Sequence, residues 1–143
     1  MANMKAAVVH NSGVPEVLSI EAVPIPRPKS GEVLIRVKAF GLNRSELFTR
    51  RGQSPTVKFP RILGIEATGL VEEAPGQEFR QGDVVVTAMG GMGRSFDGGY
   101  AEFTCVPVTQ VQRLAISLDW AVLGLRSIRT TSTLGTSGNV SMG

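Results

Sequence analysis

Residues 59–83, FPRILGIEATGLVEEAPGQEFRQGD, contain the pattern that decides the fold of this chain of 143 residues. Two apolar segments, 62–65 and 67–71, precede turns at Pro75-Gly76 and Gln81-Gly82, and a strand-like VVVT follows. Proline presets φ at the first central position of a turn and glycine tolerates φ > 0 at the second, so Pro75-Gly76 predicts a type II turn. Spacing alone predicts one hairpin of a small β-barrel.

Composition favours a single domain rich in short strands. The chain is 42% hydrophobic with 17 glycines and 8 prolines, which is typical of strands joined by turns. No apolar run reaches the roughly 18 residues of a membrane span, and the first residues have no signal-peptide pattern. The single cysteine, Cys105, forbids an internal disulfide. We therefore expect a cytoplasmic protein that does not interact with a membrane.

The formal net charge of +3 does not indicate a nucleic-acid surface. Arg126 and Arg129 are the only charges after Asp119, so residues 1–124 carry almost equal numbers of basic and acidic groups. A nucleic-acid surface needs clustered Lys and Arg, and the pair at 50–51 is too short to form one.

The sequence outside residues 59–83 predicts further strands and one short helix. Alternation is clearest in 32–40 (EVLIRVKAF), where Arg36 and Lys38 share the face opposite the apolar residues. A helix is predicted over 43–51, with Asn43 or Ser45 as its N-cap and with Leu47 and Phe48 packing it onto the barrel. Further strands are predicted at 4–10 and 17–21, with an edge segment at the prolines 24, 26 and 28.

Residues beyond the central stretch offer little separate chemistry. The glycines of 89–93 lack the spacing of a phosphate-binding loop, so we expect a flexible connection. Cys105 has no histidine nearby and is expected to be a small buried hydrophobe rather than a nucleophile. Tyr100, Phe103 and Val106 are expected to be packing residues.

The central stretch resembles the signature G-H-E-x-x-G-x-V…G-D-x-V of the medium-chain dehydrogenase/reductase superfamily. The matching residues are Gly64, Glu66, Gly69, Gly82 and Asp83, and Gly99-Tyr100-Ala101-Glu102 resembles a further family element. The resemblance covers about residues 4–124. It implies a mainly β fold, a GroES-like partly open β-barrel with one or two short helices, and no Rossmann domain.

The resemblance also implies the domain organisation. Residues 1–116 would form the GroES-like, catalytic-side domain, and 117–124 would begin an interdomain helix. The segment 125–143 is rich in Ser, Thr and Gly without a period, so we expect a divergent, disordered tail. This abrupt change favours a frame-shifted, alternatively spliced or truncated product, which an unbroken reading frame in the source gene would contradict.

Two departures from the signature point to the zinc-independent, quinone oxidoreductase-like branch. Ile65 stands where zinc alcohol dehydrogenases have a metal-binding His, and Asn43 stands where they have a Cys. One Cys and one His in the whole chain cannot assemble a structural or catalytic zinc site. We therefore expect no metal.

The remaining site residues are implied by resemblance, and each has an ordinary structural alternative. Asn43 and Arg44 would contact the cofactor, and Ser45 would be a weak catalytic candidate that relays a proton. Phe48 and Ile65 would line the substrate pocket. The alternatives are that Asn43 and Ser45 are helix caps, that Arg44 is solvated and that Phe48 belongs to the core. Glu66 is expected to be structural, with its charge answered by a base or by backbone N–H groups.

The implied activity is NAD(P)H-dependent hydride transfer to a quinone or an activated alkene, with NADPH as the family cofactor. Without the G-x-G-x-x-G turn of a dinucleotide-binding domain, this chain is not expected to bind NADPH tightly or to be active alone. Two alternatives stay open: a GroES-type co-chaperone module, and a regulatory fragment that pairs with intact enzyme. An isolated domain should expose an apolar patch and associate with itself or with the full-length enzyme.

Overall fold

The computed structural model describes residues 2–115 of the chain. The predicted helix at 117–124 and the predicted tail at 125–143 lie outside the described residues. Within the described part, no helix combines the length and the apolar character needed to cross a membrane.

The described chain is mainly β and forms the curled, partly open barrel that the resemblance implies. One antiparallel sheet has three strands in the order β2-β1-β4, and the other has five in the order β7-β3-β5-β6-β8. The elements are β1 (Asn3–Val9), β2 (Leu18–Pro24), β3 (Glu32–Ala39), α1 (Arg44–Arg50), β4 (Arg61–Ile62), β5 (Glu66–Glu73), β6 (Val84–Ala88), β7 (Phe103–Pro107) and β8 (Val111–Arg113), with short 3₁₀ turns at Pro15–Val17 and Val108–Gln110.

The predicted hairpin is present as β5 and β6, which pair from Glu66↔Ala88 to Leu70↔Val84. The prediction of a type II turn at Pro75-Gly76 is wrong, because Gly76 does not have a positive φ and the left-handed residue is Gln77, at φ 62°. The second turn, at 80–83, meets the requirement of a type II turn for a positive φ at its third residue. Gly82 has φ 90°, and the Asp83 N–H donates to the Arg80 carbonyl at 3.0 Å.

The core lies between the inner faces of the strands. Alternating residues of β3 and β5 point inward, and Val33, Ile35 and Val71 are almost completely buried. Met92, from the glycine-rich loop, is also fully buried in this cluster. Side chains of a strand alternate between its two faces, so Glu66 lies on the face of β5 opposite Val71. On that face Glu66 is close to Glu46 of α1.

The helix α1 turns a polar face toward the barrel, contrary to the predicted packing of Phe48, while Leu47 is half-buried. Asn43 is its N-cap, as one of the two predictions had it. Its buried residues are Glu46, Thr49 and Arg50, whereas Phe48 is 42% exposed. The polar face is buried because each group finds a partner: the Arg50 guanidinium, for example, donates to the Gly13 carbonyl at 2.5 Å.

Candidate functional site

The carboxylate of Glu46 joins three parts of the chain at the N-terminus of α1. It is buried and accepts hydrogen bonds from the Asn43 N–H at 3.0 Å, from the Ile65 N–H at 2.9 Å and from the Tyr100 hydroxyl. The bond from Asn43 is the return half of a capping box. Glu46 therefore fixes the helix start, the signature loop and the Tyr100 segment to one another.

Removing the Tyr100 hydroxyl should loosen this junction without unfolding the domain. Because a hydrogen bond to a charged group contributes roughly 2 kcal/mol, Tyr100→Phe should lower the free energy of unfolding by about that amount. Urea denaturation of Tyr100→Phe, Glu46→Gln and the double variant gives the coupling energy between the two side chains. Additive losses in the double variant would contradict a direct bond between them.

Glu66 lies beside this junction as a second buried carboxyl group. It is 4% exposed, and its Oε1 atom has no hydrogen-bond partner. The pKa of Glu66 is raised to about 7, mainly by burial and also by the nearby Glu46, while hydrogen bonds from the Gly41 backbone and the Asn43 side chain partly offset the rise. Of the two expected partners for Glu66, no base lies within ion-pair distance among residues 2–115, and the Gly41 backbone is the group that partly compensates the carboxylate charge.

The predicted cofactor and catalytic residues lie along the first turn of α1. The Asn43 side chain is near Glu66, but its Nδ2 is buried without a hydrogen-bond partner of standard geometry. Arg44 is exposed, and no carboxylate of residues 2–115 lies within ion-pair distance of it. The Ser45 hydroxyl is also buried without a partner. Arg44 and Ser45 thus keep free hydrogen-bonding capacity, whereas the Asn43 side chain is partly engaged by Glu66.

A pocket of about 410 Å³ adjoins the exposed face of α1. It brings together two of the predicted residues, Ser45 and Phe48, with three that the sequence did not indicate: Gln53, Ser54 and Arg94. Ile65, the other predicted pocket residue, is not part of its lining, and the role seen for it is the backbone bond to Glu46.

Close backbone contacts explain why two of the signature positions are glycine. Gly64 has φ 111°, and a Cβ there would lie 2.7 Å from the Gly99 backbone nitrogen. A Cβ on Gly69 would lie 2.0 Å from the Arg36 carbonyl oxygen across the β3–β5 pairing. The Gly-Asp pair at 82–83 forms a turn in which Asp83 accepts the Arg80 N–H at 2.9 Å, a bond that lowers the pKa of that carboxyl. These residues therefore have roles within the fold that explain the residue type at each position.

Cys105 is partly buried, and burial raises the pKa of its thiol to about 12. A thiol with such a pKa is protonated at neutral pH, so it is a poor nucleophile, as expected from the sequence. It lines a second cavity of about 550 Å³ between β1, β2, β4 and β7, where Arg61 pairs with Asp97 at 3.0 Å.

An exposed apolar groove runs beside Tyr100. The Phe40 ring packs against the Tyr100 ring at a tilt of 42° with centroids 4.8 Å apart, and the groove also includes Ile20 and Leu42, which are 72% and 81% exposed. The described residues thus expose an apolar surface, whereas its coverage by another domain and the expected self-association stay predictions.

Comparison with known proteins gives the class. The profile of the family described as "Alcohol dehydrogenase GroES-like domain" matches residues 29–116. The chain belongs to this family and corresponds to the N-terminal part of medium-chain dehydrogenases/reductases.

Individual relatives include quinone oxidoreductases and alcohol dehydrogenases. The quinone oxidoreductase of Lama guanicoe is 34% identical over 122 residues, which are 82% of this chain and 35% of that protein. The class-3 alcohol dehydrogenase of Cereibacter sphaeroides is 40% identical over 84 residues, 57% of this chain and 22% of that protein. The crystal structure of AibC superposes with a TM-score of 0.78 at 33% identity and covers 83% of this chain and 40% of that one. The chain thus spans about a third of the length of such curated relatives.

Sequence reasoning missed the residues that organise the site. Tyr100, expected to be a packing residue, binds Glu46 through its hydroxyl. Glu46 itself was not singled out, although its place three residues after Asn43 fits a capping box. No sequence pattern indicates Arg94 as a site residue, because its distance from α1 depends on the path of the loop.

Proposed function

We propose that this chain is the substrate-side domain of a zinc-independent, NAD(P)H-dependent reductase of quinones or activated alkenes. The observation that carries the proposal is the pair Asn43 and Ile65 beside the Glu46 junction. By resemblance, these positions hold a Cys and a His in zinc alcohol dehydrogenases, but an amide and a hydrocarbon side chain do not form such a site. No group of three or more possible metal-ligating residues occurs within 2–115.

The residues present fit one wall of a coenzyme site. The Asn43 side chain, which lies beside Glu66, offers an amide donor that suits a ribose hydroxyl or a carbonyl oxygen. The exposed guanidinium of Arg44 suits phosphate oxygens. When bound, the nicotinamide supplies the hydride, and this domain supplies positioning and polar donors. Because the chain spans about a third of its relatives, these donors alone are not expected to hold NADPH tightly.

Two measurements test this function. Calorimetric titration of the chain with NADPH should show no binding at micromolar concentrations, and micromolar affinity would contradict the view that the chain is inactive alone. A fusion of residues 1–116 to the remainder of a quinone oxidoreductase should oxidise NADPH in the presence of a quinone. The activity should survive a zinc chelator and fall in the matched Asn43→Ala fusion. Activity that requires added zinc would overturn the proposal.

A further inference from the structure

The glycine-rich loop between β6 and β7 places a cation at the pocket of Ser45 and Phe48. Arg94 is exposed and lines this pocket together with residues of α1 and the segment that follows it. No carboxylate of the described residues lies within ion-pair distance of its guanidinium. The pocket lining contains no acidic residue either, so the charge of Arg94 is uncompensated where a ligand would lie.

The loop is fixed to the signature stretch rather than free to swing. The Met89 N–H donates to the Ile65 carbonyl at 2.7 Å, and Met92 is buried in the core. Gly93 packs so closely on Gly64 that an added Cβ would lie 2.6 Å from the Gly64 carbonyl oxygen. Arg94 follows directly and closes a turn, because its N–H donates to the Gly91 carbonyl at 3.0 Å. Its backbone position is therefore set by the fold.

The other side chains of the pocket complement a ligand with one polar end and one flat apolar part. Phe48 offers a ring that is 42% exposed, and Gln53 and Ser54 offer neutral hydrogen-bonding groups. The Ser45 hydroxyl has no partner and can turn toward a ligand by rotation about χ1. A guanidinium beside these groups favours a carboxylate, which it can bind through two parallel hydrogen bonds.

We propose that Arg94 is a specificity-determining residue that selects a substrate carrying a carboxylate beside its quinone or enone. The inference rests on the proposed function, since it names the substrate class of the same pocket. It assigns to Arg94 the recognition of the substrate's charge, and it assigns to Phe48 the contact with the conjugated part.

The test compares a carboxylate enone with its neutral ester on the ¹⁵N-labelled full chain by NMR. The probes are 4-oxopent-2-enoate and methyl 4-oxopent-2-enoate at millimolar concentrations. The wild-type chain should bind the carboxylate roughly fivefold more tightly, which is what an ion pair near a protein surface contributes. The preference should weaken with added salt, and the shifted amides should be those of the pocket.

Variants separate the charge of Arg94 from general electrostatics. Arg94→Gln should remove the preference, and Arg94→Lys should keep part of it because the charge stays and the planar fork is lost. Arg27→Gln is the matched control: it removes the same charge from an exposed arginine that lines the other cavity, and the preference should remain.

Several outcomes would overturn the proposal. They are a preference that survives Arg94→Gln, equal binding of acid and ester by the wild-type chain, and no pocket amide shifted by either probe. Tighter binding of inorganic pyrophosphate than of the carboxylate at Arg94 would show a phosphate contact and also overturn it. Equal binding of the two probes at Ser45 and Phe48 would leave the proposed function intact, so the two failures are distinguishable.

Discussion

Replacing Gly69 by alanine is expected to lower the free energy of unfolding by about 3 kcal/mol, enough to leave much of a small domain unfolded. The physical reason is a collision with backbone: the added Cβ would lie 2.0 Å from the carbonyl oxygen of Arg36 and 2.9 Å from its carbon. A backbone atom in the middle of a paired strand cannot move aside as a flexible side chain can. The β3–β5 pairing would therefore separate at the centre of the larger sheet.

Gly31→Ala is the matched control for this prediction. Gly31 has φ 90°, but an added Cβ there has nothing within 4 Å. Only the left-handed backbone conformation is penalised, at about 1 kcal/mol. Urea denaturation followed by far-UV circular dichroism should separate the two variants by about 2 kcal/mol. Equal losses would show that the close approach at Gly69 relaxes and that the signature glycine has another role.

Glu66 should make the domain less stable as the pH rises. Its pKa is about 7 in the folded protein and 4.5 as an ordinary glutamate, so the folded state binds more protons between these values. The contribution of this group to the free energy of unfolding therefore falls as the pH rises above about 4 and becomes constant above about 8. A difference of this size between the two pKa values corresponds to about 3 kcal/mol.

Glu66→Gln should remove this dependence, because the amide has nearly the same shape and does not ionise. The variant should match the wild type near pH 4 and exceed its stability by up to about 3 kcal/mol at pH 8. Urea denaturation at half-unit pH steps measures both curves.

The control for this series is Glu72→Gln on the same face of β5. Glu72 makes a partly exposed ion pair with Arg36 at 3.2 Å, so its replacement should change stability by no more than about 1 kcal/mol. A wild-type curve that is flat between pH 5 and 8 would show that Glu66 is satisfied in a way that this structure does not contain.

The sequence was informative wherever a local pattern was sufficient. Alternation located β3, and the turn residues located the β5–β6 hairpin. The order of the Gly, Glu and Gly-Asp residues along the sequence identified the family, and membership of the family predicted the β-barrel fold. The turn at Pro75-Gly76 shows the limit even here, since composition gave its place but not the sign of φ at Gly76.

The helix α1 shows a failure with a clear physical cause. The apolar Leu47 and Phe48 were both expected to face the barrel, because burial of apolar area is the usual driving force, but Phe48 is exposed and Leu47 only half-buried. The fold instead supplies partners for Glu46 and Arg50 from residues distant in sequence. A buried polar face is stable only with those partners, and no local pattern reveals them.

The sequence by itself determined the family, the strands and the side chains available at the start of α1, because each depends on residue type and short spacing. Only the tertiary structure decided that Glu66 is crowded by Glu46, that Tyr100 completes the junction and that Arg94 reaches the Ser45 pocket. Each of these relations joins residues from different elements. Electrostatic energies and hydrogen bonds depend on distances of a few ångströms, and chain folding sets those distances.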